Sequence, residues 1–408
     1  MKSLRKDVVS VAIALLAFCF PGHGSAADKF TIKPKIAASW QTDSNFYKAE
    51  TNKKEVYTYL VQPGLEFGYQ TAKSRILLDY TLNAYYYDDQ DDVPAGQKAE
   101  SENNFFGHTA RLSARTQPFG RLLLGLDELF YKTRDAGLSD TFSNAIDRDK
   151  YYINQVTPSL MYQFGPIFSA GLKYQNTELN YSPVTREDHS EHRGIFDLVY
   201  NFTRLTSLDL EYQVWERSYS GTSSTFTSNQ AKLILRKQFN YFSVEAGGGY
   251  HDRSFDKPGI ESIDLFTYHV KISGQNPPAP LSKPRSYVSF AADRNFNDSG
   301  EGDAYFKAHK FTLNAGHIFF EKLLLDLTAT YQKSDYETQT GTTPEGTTEV
   351  RADDRYEIAG KIGYFITDRL TFSITAGYEN RDSNLAGDDY DNTYVMVKLD
   401  FGYELGKK

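Results

Sequence analysis

Charged side chains of both signs recur at alternate positions within short segments that are otherwise apolar. In RILLDYTLNAYYY, Asp79 lies on the face opposite to Ile76 and Leu78 when the residues are counted in steps of two. Groups arranged in this way can hydrogen-bond hydroxyls or attract ions. The candidates are Asp79, Arg111, Arg115, Asp127, Lys232, Arg236, Asp326, Lys361 and Glu379, together with Asp264 in a less regular segment. Two interpretations stay open: these groups contact a passing solute, or they pair with one another and only keep an interior surface hydrated.

The sequence gives only weak signals for a metal site, a calcium loop or a catalytic site. EDHSEH, residues 187–192, has the composition of a metal site or of a solvated loop. DRNFNDSGEGD, residues 293–303, has Asp298 and Ala304 where a calcium loop requires Gly and Glu. No histidine lies in a recognisable nucleophile motif. The sequence therefore predicts no catalytic residue, no cofactor and no metal, although a membrane-anchored enzyme such as a lipase would assemble its residues only in three dimensions.

The elements that position these side chains are strands. Apolar and polar residues alternate through segments such as LLDLTATYQ and LTFSITAGYE, which predicts half-buried β-strands. Tight links such as TAKS and QPFG alternate with long polar connections such as DAGLSDTFSNAIDRD and QTGTTPEGTTEVRADD. This order is typical of an outer-membrane barrel, and we expect an all-β, transmembrane, antiparallel up-and-down β-barrel of about 18 strands. A soluble jelly roll or propeller is the alternative fold.

Aromatic residues add a second signature, since the chain contains 30 Tyr and 28 Phe among 408 residues. Phenylalanines lie at or beside the short links: Phe119, Phe164, Phe202, Phe239, Phe319 and Phe365. Tyrosines mark the opposite ends of the segments, as at residues 85–87. Aromatic rings concentrate where hydrocarbon meets water, so we expect one girdle at each membrane surface.

The compartment follows from the first residues. A basic start, the apolar run VVSVAIALLAFCF and the small residues of SAADKF predict a signal peptide over residues 1–27 and a barrel over residues 28–408. The segment 28–408 contains no cysteine, and no later stretch is apolar enough for a membrane-spanning helix. The net charge of −8, without a basic and aromatic patch, argues against nucleic acid as a partner. We expect an integral protein of the Gram-negative outer membrane, in contact with outer-membrane lipid and lipopolysaccharide.

Four stretches carry a family resemblance: SWQTDSNFY, LVQPGLEFGYQ, ILLDYTLNAYYYDD and NNFFGHTARLSARTQPFGRLLLGLDELFYKTRD. They resemble the putative β-barrel porin 2 family, most clearly over residues 35–135. The resemblance implies a barrel that helps an exopolysaccharide or capsular polysaccharide to leave the cell, with a secreted polysaccharide and a periplasmic polysaccharide-export protein as partners. A diffusion porin for small solutes or ions is the alternative function, and a membrane-anchored barrel enzyme is a further one.

Overall fold

The computed structural model describes residues 29–92, 99–138, 142, 144, 146, 148–182, 186–277, 284–297 and 303–405. The predicted signal peptide, residues 1–27, lies outside these residues. Besides strands, the described chain contains two 3₁₀ helices, Glu100–Asn103 and Ala136–Leu138. No helix in this part of the chain is long and apolar enough to cross a membrane.

Eighteen strands follow one another along the chain. Their bounds are β1 (Lys29–Asp43), β2 (Val56–Gln70), β3 (Ser74–Asp89), β4 (Phe105–Phe119), β5 (Leu122–Thr133), β6 (Tyr151–Gln163), β7 (Phe168–Tyr181), β8 (His189–Thr203), β9 (Thr206–Tyr219), β10 (Phe226–Gln238), β11 (Phe242–Phe255), β12 (Ile263–Asn276), β13 (Ser286–Phe296), β14 (Phe306–Phe319), β15 (Leu323–Thr342), β16 (Thr348–Phe365), β17 (Leu370–Ser383) and β18 (Tyr390–Gly402).

Each strand pairs antiparallel with its neighbours in the chain, and the first strand closes the sheet against the last. The β1–β18 ladder runs from Lys35 opposite Gly402 to Asp43 opposite Tyr394. All eighteen strands therefore form one closed sheet. Closure leaves no edge of unpaired amide groups, which is the condition for a sheet to reside in hydrocarbon. The predicted fold, an up-and-down antiparallel barrel of 18 strands, is confirmed.

Two ends of the barrel are distinguished by their connections. We call one the turn end, and its connections are 71–73, 120–121, 164–167, 204–205, 239–241, 277–285, 320–322 and 366–369. The other is the loop end, and its connections are 44–55, 90–104, 134–150, 182–188, 220–225, 256–262, 297–305, 343–347 and 384–389. Short turns face the periplasm in outer-membrane barrels, and on this rule we expect the loop end to face the cell exterior.

Alternation along the strands separates an apolar outer face from a polar lumen. Leu78 on β3 is 42% exposed and pairs with Phe67 and Leu112 on its neighbours, all on the outer face. The adjacent Asp79 pairs with Glu66 and Arg111 on the opposite face. Directly paired residues point to the same side of a sheet, so the register carries this assignment around the barrel.

Five of the six turn-end phenylalanines lie on the outer face as expected. Phe365 pairs with Thr371, on the same face of the sheet as Lys361, and therefore faces the lumen. The most exposed of them is Phe119, at 73%, and Phe164 and Phe202 are each at 56%. At the loop end the expectation for residues 85–87 is wrong in part, because only Tyr86 is exposed. Tyr87 packs inside the barrel against Phe46, with 7% of its surface exposed. Alternation continues through the segment, so its flanking tyrosines turn into the lumen.

Two predicted loops also contain strand. QTGTTPEGTTEVRADD, residues 339–354, belongs largely to β15 and β16, which extend as a hairpin around residues 343–347. EDHSEH enters β8 at His189. Since neighbouring side chains on a strand point to opposite faces, His192 faces outward while His189 and Glu191 face inward. The histidines that the composition suggested as metal ligands therefore lie on opposite faces of β8.

Buried apolar side chains lie inside the barrel near the loop end. One cluster comprises Trp215, Phe226 and Tyr305, with exposures of 1% to 2%. A second comprises Tyr151, Ile153 and Leu179. The loop end of the lumen is therefore packed like a protein core, and it is here that the connections fold inward.

Candidate functional site: the lumen and its crossing loop

The connection 134–150, which we call the crossing loop, spans the lumen. It leaves β5 and returns to β6, yet its Phe142 is 6% exposed and packs against Phe306, Ala308 and Tyr336 on β14 and β15. In the closed strand order, β14 and β15 lie about half the circumference away from β5 and β6. A segment anchored at one wall and packed on the opposite wall must cross the interior.

Hydrogen bonds fix the tip of the crossing loop to the far wall. Gln332 Nε2 on β15 donates to the Phe142 carbonyl at 2.9 Å and to Asn144 Oδ1 at 3.0 Å. Asn144 Nδ2 donates to the Tyr336 hydroxyl at 3.2 Å. Arg381 Nη1 on β17 donates to the Asn144 carbonyl at 3.3 Å. These bonds and the Phe142 contact form what we call the latch.

A second connection, residues 44–55, folds inward beside the crossing loop. The Arg148 guanidinium lies 3.8 Å from the centroid of the Phe46 ring, and its Nε donates to the Phe46 carbonyl at 3.2 Å. Lys48 Nζ lies 2.8 Å from both carboxylate oxygens of Glu379 on β17. Burial lowers the pKa of Lys48 from its ordinary value, an effect that the Glu379 carboxylate opposes. The connection is thus attached both to the crossing loop and to the wall.

A third inward contact comes from the end of connection 297–305. Tyr305, at 1% exposure, packs with Trp215 and Phe226, and its hydroxyl donates to the Ser224 carbonyl at 3.3 Å. Asp303 accepts from the Ser224 amide at 2.7 Å. Burial by itself raises the pKa of Asp303, but hydrogen bonds from Lys257 and Ser224 outweigh it and hold the pKa below its ordinary value. Three connections therefore fill the loop end of the lumen.

Two buried groups of charged side chains lie inside the barrel at the loop end, and in each a glutamate contacts more than one partner. Glu191 on β8 lies 2.7 Å from Arg217 Nη2 and 2.9 Å from Arg193 Nε. Glu191 is 1% exposed and Arg217 is 4% exposed. The Arg193 guanidinium also lies 4.2 Å from the Trp215 ring centroid. Glu379 belongs to the same kind of site, since Tyr390 donates to it at 2.6 Å in addition to its bonds with Lys48.

Two charged pairs toward the turn end are hydrated instead, whereas Asp209 on β9 is buried beside Arg236. Arg115 contacts Asp127, with side chains 39% and 45% exposed, and Lys35 contacts Asp79 with about 30% of each exposed. Arg111 donates to the Tyr131 hydroxyl. These exposures leave the groups in contact with solvent inside the barrel.

The remaining predicted residues lie on the same luminal face. Arg236 bridges Asp209 and Glu245, and Lys232 Nζ is 3.7 Å from Glu211. Tyr287 donates to Asp326 at 2.6 Å. Lys361 pairs in register with Asp326 and has no ionic partner among the residues that the structure describes. All nine predicted residues thus share the luminal face, but their contact with a solute remains a prediction.

The expectation for Asp264 is wrong. Asp264 pairs with Asp252. Phe266, two residues further along β12 and therefore on the same face, is 59% exposed. Asp264 therefore lies on the outer face of β12. In IDLFTYHV both faces carry apolar residues, so the alternation does not reveal which face is wet.

One glycine permits a close approach inside the lumen. A Cβ atom at Gly316 would lie 2.5 Å from the ring of Tyr287, which crosses β14 at this point. The missing side chain lets the Tyr287 hydroxyl reach Asp326 on the strand beyond. Gly316 therefore positions a hydrogen-bond donor in the wall.

The sequence did not identify His269, which joins the hydrated pairs into a longer network. His269 Nδ1 lies 2.6 Å from Asp293 Oδ1, and Nε2 lies 3.2 Å from Glu245 Oε1. The sequence also did not identify Phe142 and Asn144. The available signal was Phe142 itself, an aromatic residue in the polar stretch DAGLSDTFSNAIDRD.

Comparison with known proteins agrees with the predicted family. Residues 240–403, which contain β11 to β18, match the sequence model of the family described as Putative beta-barrel porin 2. The resemblance is confirmed, although the match covers the last eight strands rather than residues 35–135. No curated protein sequence matches the chain significantly.

Solved structures with a similar barrel include three from two bacteria. Acinetobacter baumannii OccAB2 has 11% sequence identity and a TM-score of 0.49, with 92% of this chain and 98% of that chain covered. Pseudomonas aeruginosa OpdK has 10% identity and a TM-score of 0.47, with 92% and 99% covered. Pseudomonas aeruginosa OccK3 has 12% identity and a TM-score of 0.47, with 92% and 96% covered. The chain forms a closed 18-stranded β-barrel, as its own strand pairing shows, and its last eight strands match the model of a porin family.

Proposed function

We propose that this barrel is a diffusion porin for small polar solutes in the outer membrane of a Gram-negative bacterium. The proposal assigns no catalytic step to the chain. A closed sheet with an apolar outer face and a charged lumen suits passive permeation across a bilayer, because the wall satisfies its own backbone and hydrates the path.

The observation that carries the proposal is the latched crossing loop. An 18-stranded barrel without inward loops encloses a wide aqueous channel. Here Phe142 and Asn144 reach the far wall, so the cross-section is divided at the loop end. A divided cross-section favours solutes that diffuse singly past the loop.

Export of a polysaccharide, which the family resemblance implies, is the less favoured function. An extended sugar chain would occupy the lumen along its whole length and would have to pass the same divided cross-section. Such passage requires the latch to open, which exposes Phe142 and breaks its hydrogen bonds at once. A small solute requires no such opening.

Electrical and osmotic measurements on the purified protein test the proposal. We expect low single-channel conductance in planar bilayers and swelling of proteoliposomes only with small sugars. The double variant Phe142→Ala with Asn144→Ala releases the latch, so we expect conductance and the sugar size limit to rise. Leu138→Ala is the matched control, because Leu138 lies on the same connection but is 44% exposed.

Two results would reject the proposal. One is a wild-type pore that already admits long oligosaccharides and does not respond to the latch variants. The other is loss of surface polysaccharide when the gene is deleted and its recovery on complementation, which would restore the export function.

A further inference from the structure

We propose that the outer wall of β13 to β16 binds one phosphorylated, acylated lipid, with its phosphate on a row of basic side chains and an acyl chain in the apolar groove beside that row. The site lies outside the lumen and is independent of the proposed function.

The groove is a concavity of about 410 Å³ in the outer face. Its lining includes Phe311, Leu313, Tyr331, Tyr356 and Ile358. These side chains are on the face that the register assigns to lipid, and Tyr356 and Ile358 are each 49% exposed. An apolar concavity in this position has hydrocarbon as its natural occupant.

The basic row lies one step toward the loop end from the groove. Arg294 pairs with His309, and His309 pairs with Lys333, so three basic residues stand directly opposite one another on adjacent strands. His309 is two residues from Phe311, and Lys333 is two residues from Tyr331, a distance of about 7 Å along a strand. The row therefore places the cationic groups of Arg294 and Lys333 on either side of the His309 imidazole, where one phosphate can contact all three side chains.

The contacts of the row leave donors available for that anion. Arg294 Nη1 donates to the Phe266 carbonyl at 3.3 Å, and the Arg294 guanidinium has no carboxylate partner among the described residues. The Tyr268 hydroxyl lies 3.0 Å from His309 Nδ1. When Tyr268 donates, the proton of the imidazole is on Nε2, which is then a donor as well.

Two carboxylates flank the row on the side of Lys333. Asp335 Oδ1 is 3.6 Å from Lys333 Nζ, beyond hydrogen-bond distance, and the Lys333 side chain is 48% exposed. Asp354, which pairs with Lys333, accepts from the Tyr331 hydroxyl at 2.6 Å. The phosphate is therefore expected over Arg294 and His309, with Lys333 closing the site.

The adjoining groove distinguishes a lipid from a free phosphate. A free anion gains nothing from an apolar concavity, whereas a phosphorylated lipid satisfies the row and fills the groove with one molecule. The outer leaflet at the loop end of such a barrel is lipopolysaccharide, whose lipid A carries both groups. Arginine forks match phosphate geometry, and basic pockets on membrane proteins bind lipid head groups.

Native mass spectrometry of the whole barrel, released from detergent, tests the proposal with bisphosphorylated lipid A as the probe. We expect one lipid to bind at saturation. Arg294→Gln with Lys333→Gln should weaken binding about tenfold or more, because two charge-assisted contacts are lost. Lys132→Gln, on the outer face at the loop end of β5, is the matched control and should bind as the wild type does.

A second pair of variants tests the groove without touching the charges. Ala329 lines the groove, and Ala329→Phe should fill it and weaken lipid A binding, whereas Ala231→Phe, at an exposed outward position of β10, should not. Both are surface changes in a lipid-facing wall, and heat-dependent gel mobility verifies that each variant is folded.

The outcomes separate three cases. Loss of binding in both test variants with intact controls supports the site. Equal binding by the wild type and the Arg294 and Lys333 variant overturns it. If millimolar inorganic phosphate displaces lipid A and Ala329→Phe binds normally, the row holds a free anion only, and the lipid proposal fails.

Discussion

The two ends of the lumen use the same kinds of side chain under different conditions. At the loop end, Glu191 and Arg217 are 1% and 4% exposed and lie beneath packed aromatic rings. Toward the turn end, Arg115 and Asp127 form a comparable pair whose side chains remain 39% and 45% exposed. Three inward connections exclude water from the first region, and none of the described connections does so for the second.

This difference separates structural charge from charge that is available to a solute. A buried ion pair contributes modest net stability, but removal of one partner leaves an uncompensated charge in a poorly solvated site. A hydrated pair costs little to break, and its groups remain free to exchange partners. Mutation of the buried charges at the loop end should therefore change the stability of the protein. Mutation of the hydrated charges at the turn end should change ion permeation.

The largest expected effect is on stability. Glu191→Gln removes the buried carboxylate that lies between Arg193 and Arg217, and we expect a loss of about 3–5 kcal/mol in the free energy of unfolding. Asp127→Asn, the matched change at the hydrated pair, should cost about 0–1 kcal/mol. Urea unfolding in lipid vesicles, followed by the combined fluorescence of Trp40 and Trp215, measures both.

The double variant Glu191→Gln with Arg217→Gln is the control for this comparison. It should recover part of the loss, because one of the two buried cations that contact Glu191 is removed together with it. Equal costs for Glu191→Gln and Asp127→Asn would show that the two ends are hydrated alike, and the comparison would fail.

Much of this architecture was predictable from the sequence, and the reason is the strict period of two. Asp79 and Asp326 were assigned to the lumen because clean alternation gives each neighbour a definite face. The number of strands followed from repetition of the same signal between turns. Where both faces of a strand carry apolar residues, the alternation does not specify which face is toward water. For this reason the faces of Asp264 and Tyr87 were predicted wrongly.

The inward connections were not predictable in the same way. The contact of Asn144 with Gln332 joins two residues far apart in the chain, one on the connection between β5 and β6 and the other on the opposite wall. Such a contact depends on the diameter of the closed barrel and on the length of the connection, neither of which a local pattern encodes. The sequence likewise placed Glu379 in the lumen. It did not indicate that Lys48, on the connection 44–55, would fold inward and contact Glu379.

The second prediction concerns permeation through the hydrated region. Lys361 lies on the luminal face without an ionic partner among the described residues, and Asp326 is its register partner. We expect Lys361→Gln to reduce anion permeability and Asp326→Asn to reduce cation permeability, with stability nearly unchanged. Reversal potentials under a salt gradient measure both shifts, which should shrink from 0.1 M to 1 M salt as the screening length falls from about 10 Å to 3 Å.

A charge on the outer face supplies the control for selectivity. Lys237→Gln removes a cation on the outward face of β10, next to the luminal Arg236, and should leave the reversal potential unchanged. If Lys361→Gln also leaves it unchanged, the ions do not pass this part of the wall, and the turn-end charges serve only to hydrate it.

The smallest expected effect lies at the outer rim, where Glu187 joins two connections. Its carboxylate accepts hydrogen bonds from the Thr222 and Ser223 amides, the latter at 3.1 Å. Burial by itself raises the pKa of Glu187, but these bonds outweigh it and hold the pKa below its ordinary value of 4.5. A carboxylate with a depressed pKa stabilises the native contact above the ordinary value, and this contribution is lost as the pH falls through the lowered pKa.

Hydrogen exchange at Thr222 and Ser223, corrected for the intrinsic pH dependence, should therefore show protection at pH 6 that declines below pH 4.5. The change should be only a few-fold, since the carboxylate remains partly hydrated. Glu187→Gln should abolish the pH dependence, and Glu261→Gln on the neighbouring connection should preserve it. A pH-independent protection in the wild type would mean that the rim contact does not depend on the charge. The rim would then resemble the buried loop end in using packing to hold its connections.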